Sequence, residues 1–365
     1  MTANTKPAPG EIKFDSNDVF LRELRHRVDR YFETTGLTPR DCPRMYVKTA
    51  LILSWCAASY ALLVFGPGTW WLVLPALVSL GVSMAAIGFN IQHDGGHGAY
   101  SEHRWINKLM AMTLDLLGGS SFVWARKHNA IHHTYSNITG HDDDISLGLL
   151  ARVTPHQRRL PFHRAQHVYL WFLYGLLPAK WHLIDDFRYV LVGRLGGHRL
   201  ARPKGWDLVI FIGGKVVFFT LAFGVPMLLH PVATVLLCYL AATFVTGIVL
   251  SVVFQLAHCV EEASFPMPNA ETGRMESRWA AHQVQTTVDF ARDSRLATWF
   301  TGGLNFQIEH HLLPHVCHLH YPALSRIVED ACHEFGLNYS AHKTCAGAIA
   351  SHFRWLRRMG MPVAT

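Results

Sequence analysis

Apolar residues are spread unevenly along the chain: residues 46 to 65, 70 to 91, 208 to 229 and 232 to 256 run almost without charge. Each stretch is about 20 residues long, enough for a helix to cross a hydrocarbon core. They fall in two pairs, the first joined by Gly66-Pro67-Gly68-Thr69 and the second by His230-Pro231, so two tight helical hairpins are expected. The pattern predicts an all-α integral membrane protein with four transmembrane helices. Weaker patterns fill the rest. Val19, Phe20, Leu24, Val28 and Phe32 recur at roughly helical spacing among basic residues, predicting an amphipathic helix within residues 11 to 45. It is expected to lie on the membrane or to pack on the part that carries the chemistry. Residues 109 to 123 are apolar but broken by Asp115 and Gly118-Gly119, so they read as re-entrant or interfacial. Residues 167 to 184 are aromatic and amphipathic, and are expected at the interface rather than across it.

The predicted organisation is an N-terminal amphipathic segment (1–45), a first hairpin (46–91), a polar region (92–206), a second hairpin (207–257) and a C-terminal region (258–365), without internal repeats or low-complexity tracts. Four crossings put both termini on one side. The two short outer turns lack Lys and Arg, whereas the polar region holds Arg104, Lys108, Arg126, Lys127, Arg158, Arg159 and Lys204. The positive-inside rule then places the termini and polar regions in the cytosol. The first 45 residues are polar and charged with no cleavable apolar core, so no signal peptide is expected.

Seven cysteines, an odd number without a C-x-x-C pair, read as reduced thiols rather than a disulfide or zinc framework. The formal charge of +7 suits anionic headgroups, or the docking of an acidic redox or acyl carrier protein; no nucleic-acid partner is expected.

The chain holds 24 histidines, and several are regularly spaced where spans end. His128 and His132 share one helical face, with His133 beside them. His93-Asp94-Gly95-Gly96-His97 follows the second stretch, His258 closes the fourth, and Gln307-Ile308-Glu309-His310-His311 comes later. Crowded imidazoles repel one another when protonated, so a bound cation that neutral rings can ligate is the natural explanation. His93, His97, His128, His132, His133, His258, His310 and His311 are too many for one ion. Two ions with nitrogen ligands and open positions fit better than a closed structural zinc site. Asp94, Asn129, Asp142 and Asp144 are candidates to orient the rings from behind.

These boxes, H-D-G-G-H, H-x-x-x-H-H and Q-x-x-H-H in order around pairs of spans, resemble the membrane-bound fatty acyl desaturases. The glutamine opening the third box is similar to the front-end and linoleoyl-type subgroup. The resemblance covers residues from about 46 to about 321. It implies a cytosolic helical cap holding two iron ions that use O2 to remove two hydrogens from an acyl chain carried on CoA, a carrier protein or a lipid. No H-P-G-G haem signature is present, so electrons are expected from a separate ferredoxin or cytochrome. Gln307 is a poorer iron ligand than imidazole; His282 is a candidate replacement, beside the alternative that Gln307 acts through water. Hydroxylation, epoxidation or acetylene formation on the same scaffold is the rival reading. Metal transport or a metal-dependent receptor is a remote one, because transporters place ligands on broken helices near the midplane.

Overall fold

The computed structural model describes residues 12 to 362. Among them, four helices are long and apolar enough to cross a membrane: Pro43–Phe65, Trp70–His97, Trp206–Met227 and Val232–His258. The first, second and fourth contain the apolar stretches predicted above, and the third ends at Met227, two residues short of the predicted 229. The second and fourth run on as helix through the first histidine pair and to His258.

Small residues let the spans approach. A Cβ on Gly81 would strike the Ala242 carbonyl and the Val245 side chain, and Thr246 donates to the Gly81 carbonyl at 3.0 Å, locking the second span to the fourth. Trp55 and Ser59 of the first span both reach the Ser79 hydroxyl, at 2.8 and 2.7 Å. The third span carries a buried Lys215, an expensive residue in such a helix. Its ammonium is satisfied by Asp186 and by the Gly118 carbonyl, both at 2.6 Å.

That carbonyl belongs to the broken apolar stretch. Residues 109 to 123 form only short turns, including Thr113–Leu116 and Ser121–Trp124, and Gly118 sits at φ +93 between them with the Phe218 ring against it. The aromatic segment is expected at the interface and is not among the candidate spans, but it packs against one of them. Helix Gln166–Lys180 continues through Trp181–Asp185 and runs antiparallel along the fourth span, with Tyr174 near Gly247 and His182 reaching Tyr239 at 3.2 Å. A Cβ on Gly175 would meet Phe244, so this close packing draws the helix against the span.

The amphipathic helix is Val19–Thr35, capped by Asp18, whose side chain accepts from Leu21 N–H at 3.0 Å. Phe20, Leu24, Val28 and Phe32 are buried with Phe306, Ile308 and Leu312 of the third box region and with Leu324 and Val328 of helix Tyr321–Glu334. Arg27 ties it to Glu334 at 2.9 Å. Val19, on the predicted apolar stripe, is exposed instead. Of its two settings, the helix therefore takes the packed one. Helix Cys345–Gly360 closes the opposite flank, burying Trp355, Leu356 and Met359 with Val153, Val260 and Phe265. Strand is nearly absent among the described residues. Arg194–Leu195 pairs antiparallel with His198–Arg199, and Asp289–Phe290 pairs parallel with Ala341–His342. All seven cysteines are free thiols.

Candidate metal centre

Both helices that deliver the first two boxes widen just where the histidines begin. Gly88–Gln92 and Ala125–His132 are π-helical, a distortion that recurs at functional sites because it re-aims the following side chains. The glycines of the first box are there for approach. A Cβ on Gly95 would collide with Met110, and one on Gly96 with the Trp124 indole. Asn129 donates to the Gly96 carbonyl at 2.6 Å, fastening the second box to the first.

The third box lies on the short helix Gln307–Leu312, every residue of which is buried. Asp289 accepts the Ile308 N–H at 3.0 Å and anchors the start of that helix. The Tyr339 hydroxyl bridges Asp289 and Glu309, 2.5 Å from one carboxyl and 2.8 Å from the other, with one proton to donate between them. Burial raises the Glu309 carboxyl well above its ordinary value, and Asp289 beside it adds to the shift.

The seven boxed histidines and His258 converge. Ring nitrogens of His93, His97, His128 and His310 all lie within 4.8 Å of one another, and so do those of His132, His258 and His311. His133 belongs between the groups, clustering with His310 and His311. His93 Nε2 faces His128 Nε2 at 3.3 Å, and His310 Nε2 faces His133 Nε2 at 3.0 Å. Only one nitrogen of such a pair can carry a proton, and two lone pairs facing each other repel. His97 Nε2, His132 Nε2 and His311 Nε2 are buried without a hydrogen-bond partner among the described residues. Unpaired buried nitrogens are costly. Cations between the rings would satisfy them all, and two adjacent groups fit a two-metal site.

The rings are oriented from behind. His132 donates Nδ1–H to Asp142 at 2.9 Å and His128 donates to Asp144 at 3.1 Å, turning each Nε2 inward. Asp142 is held in turn by the Asn137 N–H at 2.9 Å, and Asp144 by Lys127 at 2.9 Å. His311 leans on the Gln283 side-chain oxygen at 2.8 Å. Burial drives His133, His310 and His311 well below the usual histidine range, and neighbouring imidazoles push them further, so all three are neutral donors. Burial lowers His128 as well, against the opposing pull of Asp144. For His132 burial acts downward too, but the Asp142 charge and hydrogen bond outweigh it and raise the ring.

Other expected residues sit differently. Gln307 Nε2 lies 3.0 Å from His258 Nε2, at the edge of the second group. His282 stands apart: its Nε2 donates to the Ser136 carbonyl at 2.8 Å, and it is in neither group. Asp94 points away from the boxed rings and accepts from His318 Nδ1 at 2.8 Å. The other His318 nitrogen receives the Lys48 ammonium at 2.9 Å. This buried Lys48–His318–Asp94 chain, with Cys317 beside it, was not foreseen. Its signal was a lone lysine inside an apolar run. Gln283 and Asn137, whose amide donates to the carbonyls of His258, Ser264 and Thr286 at 3.0 to 3.2 Å, carried no sequence signal.

Four helices long and apolar enough to cross a membrane, two of them ending in a cluster of buried imidazoles whose nitrogens group to fit two metal ions, are the pattern of a membrane metalloprotein. The fatty acid desaturase family model matches residues 68–343, which include all three boxes. The chain is 39% identical to the sn-1 linoleoyl-lipid 6-desaturase of Arthrospira platensis, over 99% of this chain and 97% of that protein. It is also 39% identical to the enzyme of the same name from Synechocystis sp., over 96% and 98%. The acyl-lipid (8-3)-desaturase of Physcomitrium patens is 37% identical, over 97% of this chain and 76% of its own length. The chain belongs to the fatty acid desaturase family, and it is an acyl desaturase, an oxidoreductase of lipid metabolism.

Proposed function

We propose that this desaturase uses two iron ions and O2 to place a C=C bond in an acyl chain esterified to a membrane lipid, with the metal centre facing the cytosol. The observation that carries the metal reading is the set of facing and unpartnered Nε2 atoms just described. His93, His97, His128 and His310 would hold one ion and His132, His258 and His311 the other, with His133 between them. Gln307, whose amide nitrogen is 3.0 Å from His258 Nε2, would stand beside the second ion. When bound, the pair supplies the strong oxidant that an unactivated C–H bond requires.

The chain's own residues bind and orient. Asp142 and Asp144 fix the tautomers of His132 and His128, and Gln283 fixes His311. The surrounding burial excludes water, which protects the reactive centre from side reactions. A cavity of about 940 Å³ borders Ala125 and Ala130 on the helix carrying His128 and His132. Arg126 and Arg199 line it and offer cations to a lipid headgroup, Lys108 there being paired with Asp207 at 3.3 Å, while its apolar wall receives the upper acyl chain. The lipid-linked substrate also follows from the names of the relatives. The short outer turns without Lys or Arg support the cytosolic side for the cap and both termini.

The test is mass spectrometry of acyl products after expression with iron and a reductant, sampling lipids, CoA thioesters and carrier-protein thioesters in parallel. Loss of two hydrogens in the lipid pool is expected. The same loss confined to a thioester pool would overturn the lipid assignment.

A further inference from the structure

Desaturation by O2 has an electron balance: R–CH2–CH2–R′ + O2 + 2 e− + 2 H+ → R–CH=CH–R′ + 2 H2O. Two electrons come from the acyl chain and two must arrive from outside, so the buried centre needs an entry point. We infer that the arginine-rich end of helix Cys345–Gly360 is the docking surface for an acidic one-electron carrier protein, which delivers one electron at each of two encounters. This rests on the O2-dependent reading above.

Three features meet on this surface. The first is charge. Arg354, Arg357 and Arg358 are exposed on the helix, and exposed Arg164 lies beside Gly360 at its end. Arg354, Arg357 and Arg358 also line a surface pocket of about 490 Å³ that includes Met359 and Met361. The acidic group facing it is Glu261, bonded to Arg354 at 2.6 Å and 4.0 Å from Arg358. Arg164 and Arg357 make no side-chain hydrogen bond or ion pair among the described residues, so the surface keeps unneutralised positive charge. Such a field steers an acidic partner and accelerates encounter.

The second is what lies beneath. The Arg358 guanidinium sits 4.5 Å over the Trp355 ring, which is buried and stacked on Phe265 at 4.9 Å. The third is a short connection to the metal pocket. His352, one helical turn before Trp355, is fully buried; its Nδ1 donates to the Cys259 carbonyl at 2.7 Å, and Tyr174 lies at its other nitrogen at 2.9 Å. Cys259 directly follows His258, one of the converging histidines. From surface to centre the route is one helical turn, one hydrogen bond and one residue of backbone. A basic patch that only held anionic headgroups would have no reason to stand over this connection.

The full iron-loaded chain in detergent, with purified acidic [2Fe–2S] ferredoxin as probe, tests the surface. Reduction of the metal centre is followed by stopped flow with reduced ferredoxin and, separately, with dithionite. For the wild type the ferredoxin rate should fall as ionic strength rises, because exposed charges are screened. Reversing the charge in Arg164→Glu/Arg357→Glu should slow ferredoxin about tenfold or more at low salt, while the dithionite rate is unchanged. An unchanged ferredoxin rate overturns the proposal, all the more if the variant instead loses binding to anionic vesicles. If dithionite fails to reduce the wild-type centre, the redox-metal reading falls first and takes this surface with it.

Discussion

Two halves of the imidazole cluster are held by different chemistry. His128 and His132 donate to the carboxylates of Asp144 and Asp142, whereas His311 rests on the neutral amide of Gln283 and His310 lies 3.4 Å from the Tyr321 hydroxyl. Both halves are buried, and burial pulls every ring toward the neutral form. Only His132 is raised, because Asp142 overcomes that pull; His310 and His311 stay well below the usual range. A carboxylate behind a ligand adds negative charge where a cation sits and makes the ring a better donor, while an amide or hydroxyl only aims it. The second box is thus the electrostatic anchor of the pocket, and the third box a geometric one.

The largest break comes from removing a ring. His132→Ala or His310→Ala should abolish turnover and lower bound metal together, measured by product analysis and elemental analysis of the same preparation; an active, fully metallated His310→Ala protein contradicts the site. Next, Asp142→Asn keeps a hydrogen-bond acceptor but removes the charge. Metal affinity, titrated with a competing chelator, should drop about 10- to 100-fold. Gln283→Leu removes only an aiming contact and should cost less than Asp142→Asn in the same titration; equal losses would erase the distinction between the halves. Smallest on the metal is Leu24→Ala in the amphipathic helix. It should cost about 2–5 kcal/mol of stability through the cavity it leaves, read by thermal unfolding, with metal per chain unchanged in the folded protein.

Spans and boxes were readable because their signals are local. An uncharged run reports a span by its length, and H-x-x-x-H-H places rings on one face by helical period alone. The first box and His258 lie at the ends of the second and fourth spans, which the uncharged runs place; the second and third boxes reach them on short helices outside the spans. The supports were not readable. Gln283 meets His311, and Lys48 meets Asp94 through His318, across separations that no period or motif encodes. The packing partner of the aromatic segment was hidden for a related reason. The segment's amphipathicity suggested an interface, and Gly175 and Gly247 allow a close helix pair that composition does not reveal.

We propose that these histidines hold two metal ions and that the ions are iron. Counting metals per chain by elemental mass spectrometry, on protein purified from iron-supplemented cells and active in forming unsaturated lipid, tests it most directly. Close to two iron atoms per chain are expected, with loss of activity as they are removed. Full desaturase activity in a preparation with far less than one metal per chain would contradict it.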